Sequence, residues 1–231
     1  MIRNVPKHVL VLTSLFALLA FVTPSVTWTQ SGAGDVPEGK TFGSKSAPIT
    51  MVVYSDFQCP SCRELYENTL RPLMNDYVPA GKVYLVHRDF PLSIHRYSKI
   101  AARYANAAAR IGKYAQVEAA LYDNQAAWSV DGNMQKYIAA ALTPAEMKRV
   151  EHLMDGCHEG DAGVTPAKLG GDTQAHGCAL DASIEKDLAL GNQVPVRATP
   201  TFVISCKNQS YPATGRISYP ILKQYFDEVC K

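Results

Sequence analysis

The sequence has little that marks a specialised class of protein. Charged residues make up only 19% of its 231 residues, and neither sign dominates, with 23 Lys and Arg against 21 Asp and Glu. No run of Lys or Arg forms a phosphate-binding stripe, which argues against a nucleic-acid partner. No internal repeat or low-complexity segment is present, and the hydrophobic content of 47% is too high for a disordered chain. The length predicts one or two globular domains.

Long apolar runs are absent except near the N-terminus. There, a basic start is followed by an apolar stretch of 14 residues from Val9 to Val22 and then by Pro24. A membrane-spanning helix needs about 20 apolar residues, so a cleaved secretory signal over residues 1–33 is the favoured interpretation and an N-terminal anchor is the alternative. The mature protein is therefore expected outside the cytoplasm, in a periplasm or secreted.

Cysteine is scarce, but its number is even. The six cysteines all follow residue 58, and in an oxidising compartment an even number favours disulfides over free thiols. Six cysteines allow 15 connectivities, among which the sequence does not choose. Only Cys59 and Cys62 are close enough along the chain to constrain each other locally.

The order of predicted elements is that of an α/β protein with a helical insertion. Ile49 to Ser55 predicts a buried strand, a helix begins at Pro60, and Val83 to His87 predicts a second strand. An apolar stripe within residues 96–128 predicts one long helix or a helix pair. The other expected elements are a helix with a capping box at Thr143–Glu146, a loop over 156–177, a helix over 179–190, a strand over 201–205, a short strand near residue 211 and a helix over 218–229.

The CxxC motif at Cys59 and Cys62 carries the chemistry. It follows a strand and has Pro60 at the first helical position, which makes Cys59 the N-cap residue. There its sulfur faces the positive end of the helix dipole and can accept hydrogen bonds from the amides of Ser61 and Cys62, so the thiolate is favoured. Cys59 is predicted to be the attacked sulfur and Cys62 the resolving one. The alternative is an inert structural disulfide.

A second motif lies far along the chain, where Thr199-Pro200 precedes a strand. A cis bond there would turn the Thr199 backbone groups outward, where a substrate peptide can pair with them as an added strand. The alternative is a trans proline that only starts the strand.

Together these segments resemble the DsbA-like thiol:disulfide oxidoreductases of the thioredoxin superfamily. The resemblance covers about residues 39–231 and rests on YSDFQCPSC, HRDFPL, ATPTFVI and YPATGRISYPILKQYF. It implies a thioredoxin fold with an inserted all-helical domain, divided into residues 36–95 and 191–231 for the α/β part and 96–190 for the insertion. It also implies that the Thr199–Pro200 bond is cis and lies beside Cys59.

The resemblance extends to activity and partners. It implies a protein that introduces disulfides into cysteine-containing secreted proteins, without a small-molecule cofactor, and is reoxidised by a quinone-linked membrane protein of the DsbB or vitamin K epoxide reductase type. Isomerases of the superfamily typically add an N-terminal dimerisation domain, and only a short segment precedes the first strand, so a monomeric oxidase is expected. A reductase or isomerase is the alternative within the fold. A non-enzymatic metal-binding or peptide-binding module is the alternative outside it.

Two features depart from the family pattern. Many members carry an acid six residues before the first active cysteine, where this chain has Val53. Asp56 is the nearest carboxylate along the chain, and a solvated strand-end or capping role is favoured for it over proton relay. His87 and His95 are expected to be surface or core residues. Tyr122 and Trp128 are expected in the core, with a peptide-lining surface as the alternative.

The remaining four cysteines are the second departure. Cys206 follows one predicted strand and Cys230 ends the last helix, so a bridge between them would fasten that helix to the sheet. Cys157 and Cys178 bracket the Gly-rich loop and are expected to be bonded likewise. The alternative for that loop is a zinc site formed by Cys157, His158, His176 and Cys178.

Overall fold

In a computed structural model, the described residues are 39–155, 157, 178 and 180–230. The strands are β1 (Thr41–Phe42), β2 (Ile49–Ser55), β3 (Val83–Asp89), β4 (Thr201–Cys206) and β5 (Gln209–Thr214). The helices are α1 (Pro60–Leu65), α2 (Arg71–Asp76), α3 (Ser98–Ala109), α4 (Tyr114–Asp123), α5 (Gln125–Asp131), α6 (Gln135–Ala141), α7 (Pro144–Leu153), α8 (Asp181–Gln193) and α9 (Tyr219–Glu228), and a π-helical segment, Tyr66–Leu70, joins α1 to α2.

The five strands form one mixed sheet in the order β1-β3-β2-β4-β5. Strands β2 and β3 are parallel, and the other pairs are antiparallel. The helix-containing connection between β2 and β3 is what a parallel pair requires, and it carries the CxxC motif at its start. The structure thus has the fold class that the sequence predicted, a thioredoxin fold with helices inserted between β3 and β4.

Side chains alternate across the sheet because successive residues of a strand point to opposite faces. Met51 and Val53 of β2 belong to the larger core, which also contains Cys59 and Cys62, whereas Val52 and Tyr54 belong to a smaller core on the other face. The active-site motif therefore lies on the side of the sheet that has the larger core.

The helix that the sequence predicted to begin at Pro60 is not one continuous α-helix. The turn of π-helix over Tyr66–Leu70 ends two positions before Pro72, the second residue of α2. Proline has no N–H to donate, and its ring collides with the carbonyl four residues earlier, so the backbone widens there by one residue per turn. The sequence prediction missed this break.

The helical insertion also has more breaks than predicted. The stretch that predicted one helix or a pair contains three, α3, α4 and α5. Gly112, with φ of +70°, allows the turn between α3 and α4, a conformation that other residues rarely adopt. The capping box at Thr143 and Glu146 is confirmed, since each side chain accepts a hydrogen bond from the other residue's backbone N–H.

A buried cluster of charges fastens α8 to the sheet. Lys40, which is fully buried, contacts Asp89 of β3 at 2.5 Å and Asp187 of α8 at 2.7 Å. Arg88 reaches the other oxygen of Asp187 at 2.6 Å. Two cations thus face two anions, which offsets the cost of removing these charges from water.

Within the described ranges, no helix combines the length and apolar character that crossing a bilayer requires. The predicted secretory signal, residues 1–33, lies outside the described residues.

Candidate active site

Cys59 and Cys62 lie where β2 gives way to α1. Cys59 is the N-cap residue, with φ of −74° and ψ of 121°, and Pro60 is the first residue of the helix. One helical turn separates the two cysteines, so both sulfurs lie on the same face. Cys59 is 7% exposed and Cys62 only 1%, and both are free thiols. Cys59 is therefore the more exposed of two buried cysteines, and its role as the attacked sulfur stays a prediction.

The Thr199–Pro200 peptide bond is cis and lies against the active-site cysteines. The Cys59 sulfur is 3.4 Å from the Thr199 carbonyl oxygen, although the two residues are 140 positions apart. Pro200 is buried, and its carbonyl accepts a hydrogen bond from the N–H of Gly215 beyond β5. The resemblance implied this arrangement, and the residues alone had left the trans alternative open.

The two thiols have very different acidities. The pKa of Cys59 is lowered to about 5, first by the hydrogen bond from the Cys62 thiol and then, against the opposing effect of burial, by Thr199 and the amides of Cys62 and Ser61. Burial raises the pKa of Cys62 well above its ordinary value, and the neighbouring Cys59 thiolate adds to this. At neutral pH the reduced site therefore holds a Cys59 thiolate beside a protonated Cys62.

One part of the predicted geometry differs. The Cys59 side chain makes no regular capping hydrogen bond, whereas the sequence interpretation relied on such bonds from Ser61 and Cys62. Those amides still lower the pKa of Cys59, but the Cys62 thiol is the larger influence. The helix N-terminus is thus one of several contributors to thiolate stability.

Of the two roles favoured for Asp56, a solvated strand-end residue or a capping residue, the first is wrong. Asp56 is 1% exposed, and its carboxylate accepts hydrogen bonds from the backbone N–H groups of Gln58 and Leu92, each at 2.8 Å. The Ser98 hydroxyl also donates to it, and Nδ1 of His95 lies 2.7 Å from it. The turn to Gln58 is the capping geometry that the sequence allowed, but Leu92, His95 and Ser98 come from the segment after β3, which local spacing does not reveal.

The two histidines lie in different surroundings. His87 belongs to the core, where its Nδ1 lies 2.7 Å from a carboxylate oxygen of Glu118 on α4, and it is aligned with Val53 across the β2–β3 pair. His95 is partly exposed and contacts Asp56. Val53 itself is fully buried, so the position that carries an acid in many relatives is apolar here.

Two glutamines beside the motif were not predicted. The Gln125 amide of α5 donates to the carbonyls of Phe57 at 2.7 Å and Cys59 at 2.9 Å. Gln58 donates to Ser129 of the same helix and accepts from the N–H of Tyr97. The helical insertion therefore holds the backbone of the active-site turn directly. Sequence periodicity shows which side of a helix is apolar, and it gives no signal for such contacts.

The aromatic side chains of the insertion are core residues. Tyr122 stacks on Tyr66 with ring centroids 4.8 Å apart, and Trp128 is fully buried with its indole N–H bonded to the Leu121 carbonyl. Neither side chain lines a peptide surface, so the alternative considered for them is wrong.

The other four cysteines form two disulfides, Cys157–Cys178 and Cys206–Cys230. Because Cys157 and Cys178 are bonded to each other, neither is free to bind zinc as the alternative site required. The other two residues of that site, His158 and His176, lie outside the described residues. Across the part of the chain that the structure describes, no group of three or more His, Cys, Asp or Glu side chains is placed to hold a metal ion. The second disulfide ties the end of β4 to the end of the last helix.

Comparison with known proteins gives one family match and several partial ones. The family model described as Thioredoxin matches residues 35–215. A Na(+)/H(+) antiporter NhaA 3 of Salinispora tropica is 38% identical over 84 residues, which are 36% of this chain and 12% of the antiporter. The "Probable disulfide bond formation protein D" of Bacillus cereus is 36% identical over 52 residues, 22% of this chain and 24% of that protein. The chain thus spans a small fraction of these curated relatives.

Solved structures share the fold over most of the chain. A cysteine-to-alanine variant of α-DsbA1 from Wolbachia pipientis superimposes with a TM-score of 0.63 at 20% identity, covering 86% of this chain and 94% of the other. A periplasmic thioredoxin-like protein of Salmonella enterica gives a TM-score of 0.51 at 22% identity, covering 86% and 93%.

Proposed function

Because the chain belongs to the thioredoxin family, we propose that it is a thiol:disulfide oxidoreductase that introduces disulfides into proteins outside the cytoplasm through Cys59 and Cys62. The observation that carries the proposal is the split in acidity between the two thiols, with the Cys59 pKa lowered to about 5 and the Cys62 pKa raised. A stabilised Cys59 thiolate is a good leaving group, and it favours the dithiol over the disulfide, which makes the disulfide form oxidising.

The reaction begins with the oxidised site. A substrate thiolate attacks the Cys59 sulfur, the Cys59–Cys62 bond breaks, and Cys62 leaves and takes up a proton. A second substrate thiolate then attacks the substrate sulfur of the mixed disulfide and releases the Cys59 thiolate. The substrate leaves with one disulfide, and the protein leaves as the dithiol that the structure shows.

The neighbouring residues have supporting roles in this reaction. Pro60 and Ser61 begin the helix whose amides face Cys59, and Thr199 and Pro200 place a carbonyl beside its sulfur. An extended substrate segment can pair with the Thr199 backbone as an added strand next to the reacting sulfur. Asp56 contacts Cys62 through its backbone N–H.

Export and reoxidation complete the proposal. The two additional disulfides support a location outside the cytoplasm, since such bonds persist in oxidising compartments. Each turnover leaves the dithiol, so a membrane partner of the DsbB or vitamin K epoxide reductase type would restore the disulfide. We propose that the protein acts as a monomer on cysteine-containing secreted proteins.

The deciding measurement is the reduction potential of the Cys59–Cys62 pair. The purified protein would be equilibrated with glutathione buffers, its thiols trapped and the two forms counted by mass spectrometry. A potential near about −120 mV, the value of DsbA, would support disulfide donation. A potential near about −270 mV, the value of thioredoxin, would point to a reductase instead. A Cys62→Ala variant that still oxidised a reduced substrate protein would contradict the proposed chemistry.

A further inference from the structure

Asp56 connects the resolving cysteine to a buried polar cluster. Its backbone N–H lies 3.4 Å from the Cys62 sulfur and donates to it. Its carboxylate is held by donors from three other places, namely Gln58 in the same turn, Leu92 and His95 after β3, and Ser98 at the start of α3. An ionised carboxylate only accepts hydrogen bonds, so Nδ1 of His95 donates.

Cys62 needs such a donor because it must ionise where water has little access. Its side chain is 1% exposed and belongs to the larger hydrophobic core. A thiolate there lacks hydration, and burial accordingly raises the Cys62 pKa. The Asp56 N–H acts in the opposite direction and lowers it.

We propose that Asp56 is the positioning residue of the resolving step: its carboxylate, fixed by Leu92, His95 and Ser98, holds the Asp56 N–H against the sulfur of Cys62 while that sulfur becomes a thiolate. In this step, which belongs to the reoxidation of the dithiol, Cys62 loses its proton to solvent base and attacks the Cys59 sulfur of a mixed disulfide with the oxidant. The Cys59–Cys62 bond forms, and the partner sulfur leaves as a thiolate. The inference rests on the proposed function, because it concerns the same pair of cysteines.

The charge of Asp56 by itself would oppose a nearby thiolate. Four donors share that charge, and His95 is 19% exposed at its side chain, so the cluster reaches from Cys62 to the surface. The gain from a fixed N–H therefore outweighs the repulsion from a carboxylate whose oxygens are already hydrogen-bonded. If the repulsion outweighed the gain, removing the Asp56 charge would speed the attack by Cys62 instead of slowing it. The rate of that attack therefore distinguishes the two cases.

The test uses 5,5′-dithiobis(2-nitrobenzoate) with the reduced full-length protein under rapid mixing. Cys59 attacks first and releases one thionitrobenzoate, in a phase that depends on reagent concentration. Cys62 then attacks the mixed disulfide and releases the second, in a phase that does not. Cys62→Ser provides the trace for the first phase alone.

Asp56→Asn is expected to slow the second phase about tenfold, the size typical of a hydrogen bond to a charged group. The first phase stays unchanged, because the hydrogen bonds that stabilise the Cys59 thiolate come from Cys62, Thr199 and Ser61, and Asp56 contacts Cys59 only through its backbone carbonyl. His95→Ala should slow the second phase in the same direction. His95→Asn should restore most of the rate, because its side-chain amide can donate from nearly the position of Nδ1.

The exposed pair His152–Asp155 on the surface near the end of α7 provides the matched control. It has the same residue types at 3.1 Å, so Asp155→Asn and His152→Ala should leave both phases unchanged. If Asp56→Asn does not fold, as judged by circular dichroism, the His95→Ala and His95→Asn comparison decides alone.

A second phase that is unchanged or faster in Asp56→Asn, or in His95→Ala where the former does not fold, would overturn the inference. It would do so without touching the proposed function, provided that the unsubstituted protein releases both thionitrobenzoates. If the unsubstituted protein releases only the first, the Cys59–Cys62 pair does not cycle, and the proposed function fails with the inference.

Discussion

At the scale of single residues, the low pKa of Cys59 links redox chemistry to stability. The folded pKa is about 5, against an ordinary value of 9.0. Between these values the unfolded chain binds more protons than the folded one, so folding stability rises with pH. This contribution is complete above about pH 9 and is lost as the pH falls through about 5.

The prediction concerns the reduced protein and a reduced Cys59→Ser variant. The difference between their melting temperatures should grow by several degrees in favour of the unsubstituted protein as the pH rises from 5 towards 9. Thermal unfolding followed by circular dichroism under a thiol reductant measures it. A difference that stays constant over this range would show that the thiolate is not stabilised by the fold.

The hydrogen-bond partners of Asp56 could not be predicted from the sequence. Local spacing places it three residues before Cys59, where strand ends and turns often carry a solvated Asp. Its actual role depends on Leu92, His95 and Ser98, which are brought to it by the path of the chain after β3. The HRDFPL motif lies at the start of this segment, but the motif alone does not predict that the segment contacts Asp56.

At the scale of elements, helix α5 supports the active-site turn through one side chain. The Gln125 amide, 3% exposed, donates to the carbonyls of Phe57 and Cys59. Without that amide, the Phe57 carbonyl would lose its side-chain donor beside the CxxC helix, while the Cys59 carbonyl would keep only the backbone donors Cys62 and Arg63.

We therefore expect Gln125→Leu to destabilise the protein by about 2 kcal/mol, the usual cost of unsatisfied buried polar groups. Urea unfolding would measure the change. Gln135→Leu on the neighbouring helix α6 is the control, because that side chain is exposed and bonds only to Glu151 among the described residues. Equal effects of the two substitutions would contradict the supporting role assigned to α5.

The elements themselves were largely predictable, because hydrophobic period distinguishes strands from helices. Strand β2 has the predicted bounds, and β3 and β4 extend the predicted ones by one or two residues. The two-residue strand β1 was missed, since it is too short to show a period. The helix breaks near Pro72 and Gly112 were missed although proline and glycine both disfavour a continuous helix, because the prediction relied on the apolar stripe.

At the scale of the whole molecule, the Lys40 cluster joins the residue before β1 to β3 and α8. Burial lowers the pKa of Lys40, but Asp89 and Asp187 more than offset this, so its pKa is raised overall. Folding therefore gains stability from this lysine below its ordinary pKa of 10.5 and loses it as the pH rises through the higher folded value.

Lys40→Met should destabilise the protein by about 3–5 kcal/mol, because it removes the ammonium that contacts both buried carboxylates and leaves Asp89 with Asn106 and Asp187 with Arg88. Chemical denaturation at neutral pH measures the loss. Lys223→Met removes an exposed ion pair with Asp227 and should have no measurable effect. A small loss in Lys40→Met would mean that the buried carboxylates take up protons or water and that the cluster does not fasten α8.

The sequence by itself determined an α/β protein with a helical insertion and a CxxC motif at a strand-to-helix junction, and it predicted Cys59 as the attacked cysteine. These follow from short-range patterns, namely the alternation of strands, the spacing of helices and the position of Cys59 before Pro60, while the resemblance to DsbA-like proteins supplied the thioredoxin fold. The tertiary structure alone decided the partners of Asp56, the support from Gln125 and the pairing of Lys40 with Asp89 and Asp187. Each of these contacts joins residues tens of positions apart, and only the folded backbone brings such residues within hydrogen-bond distance.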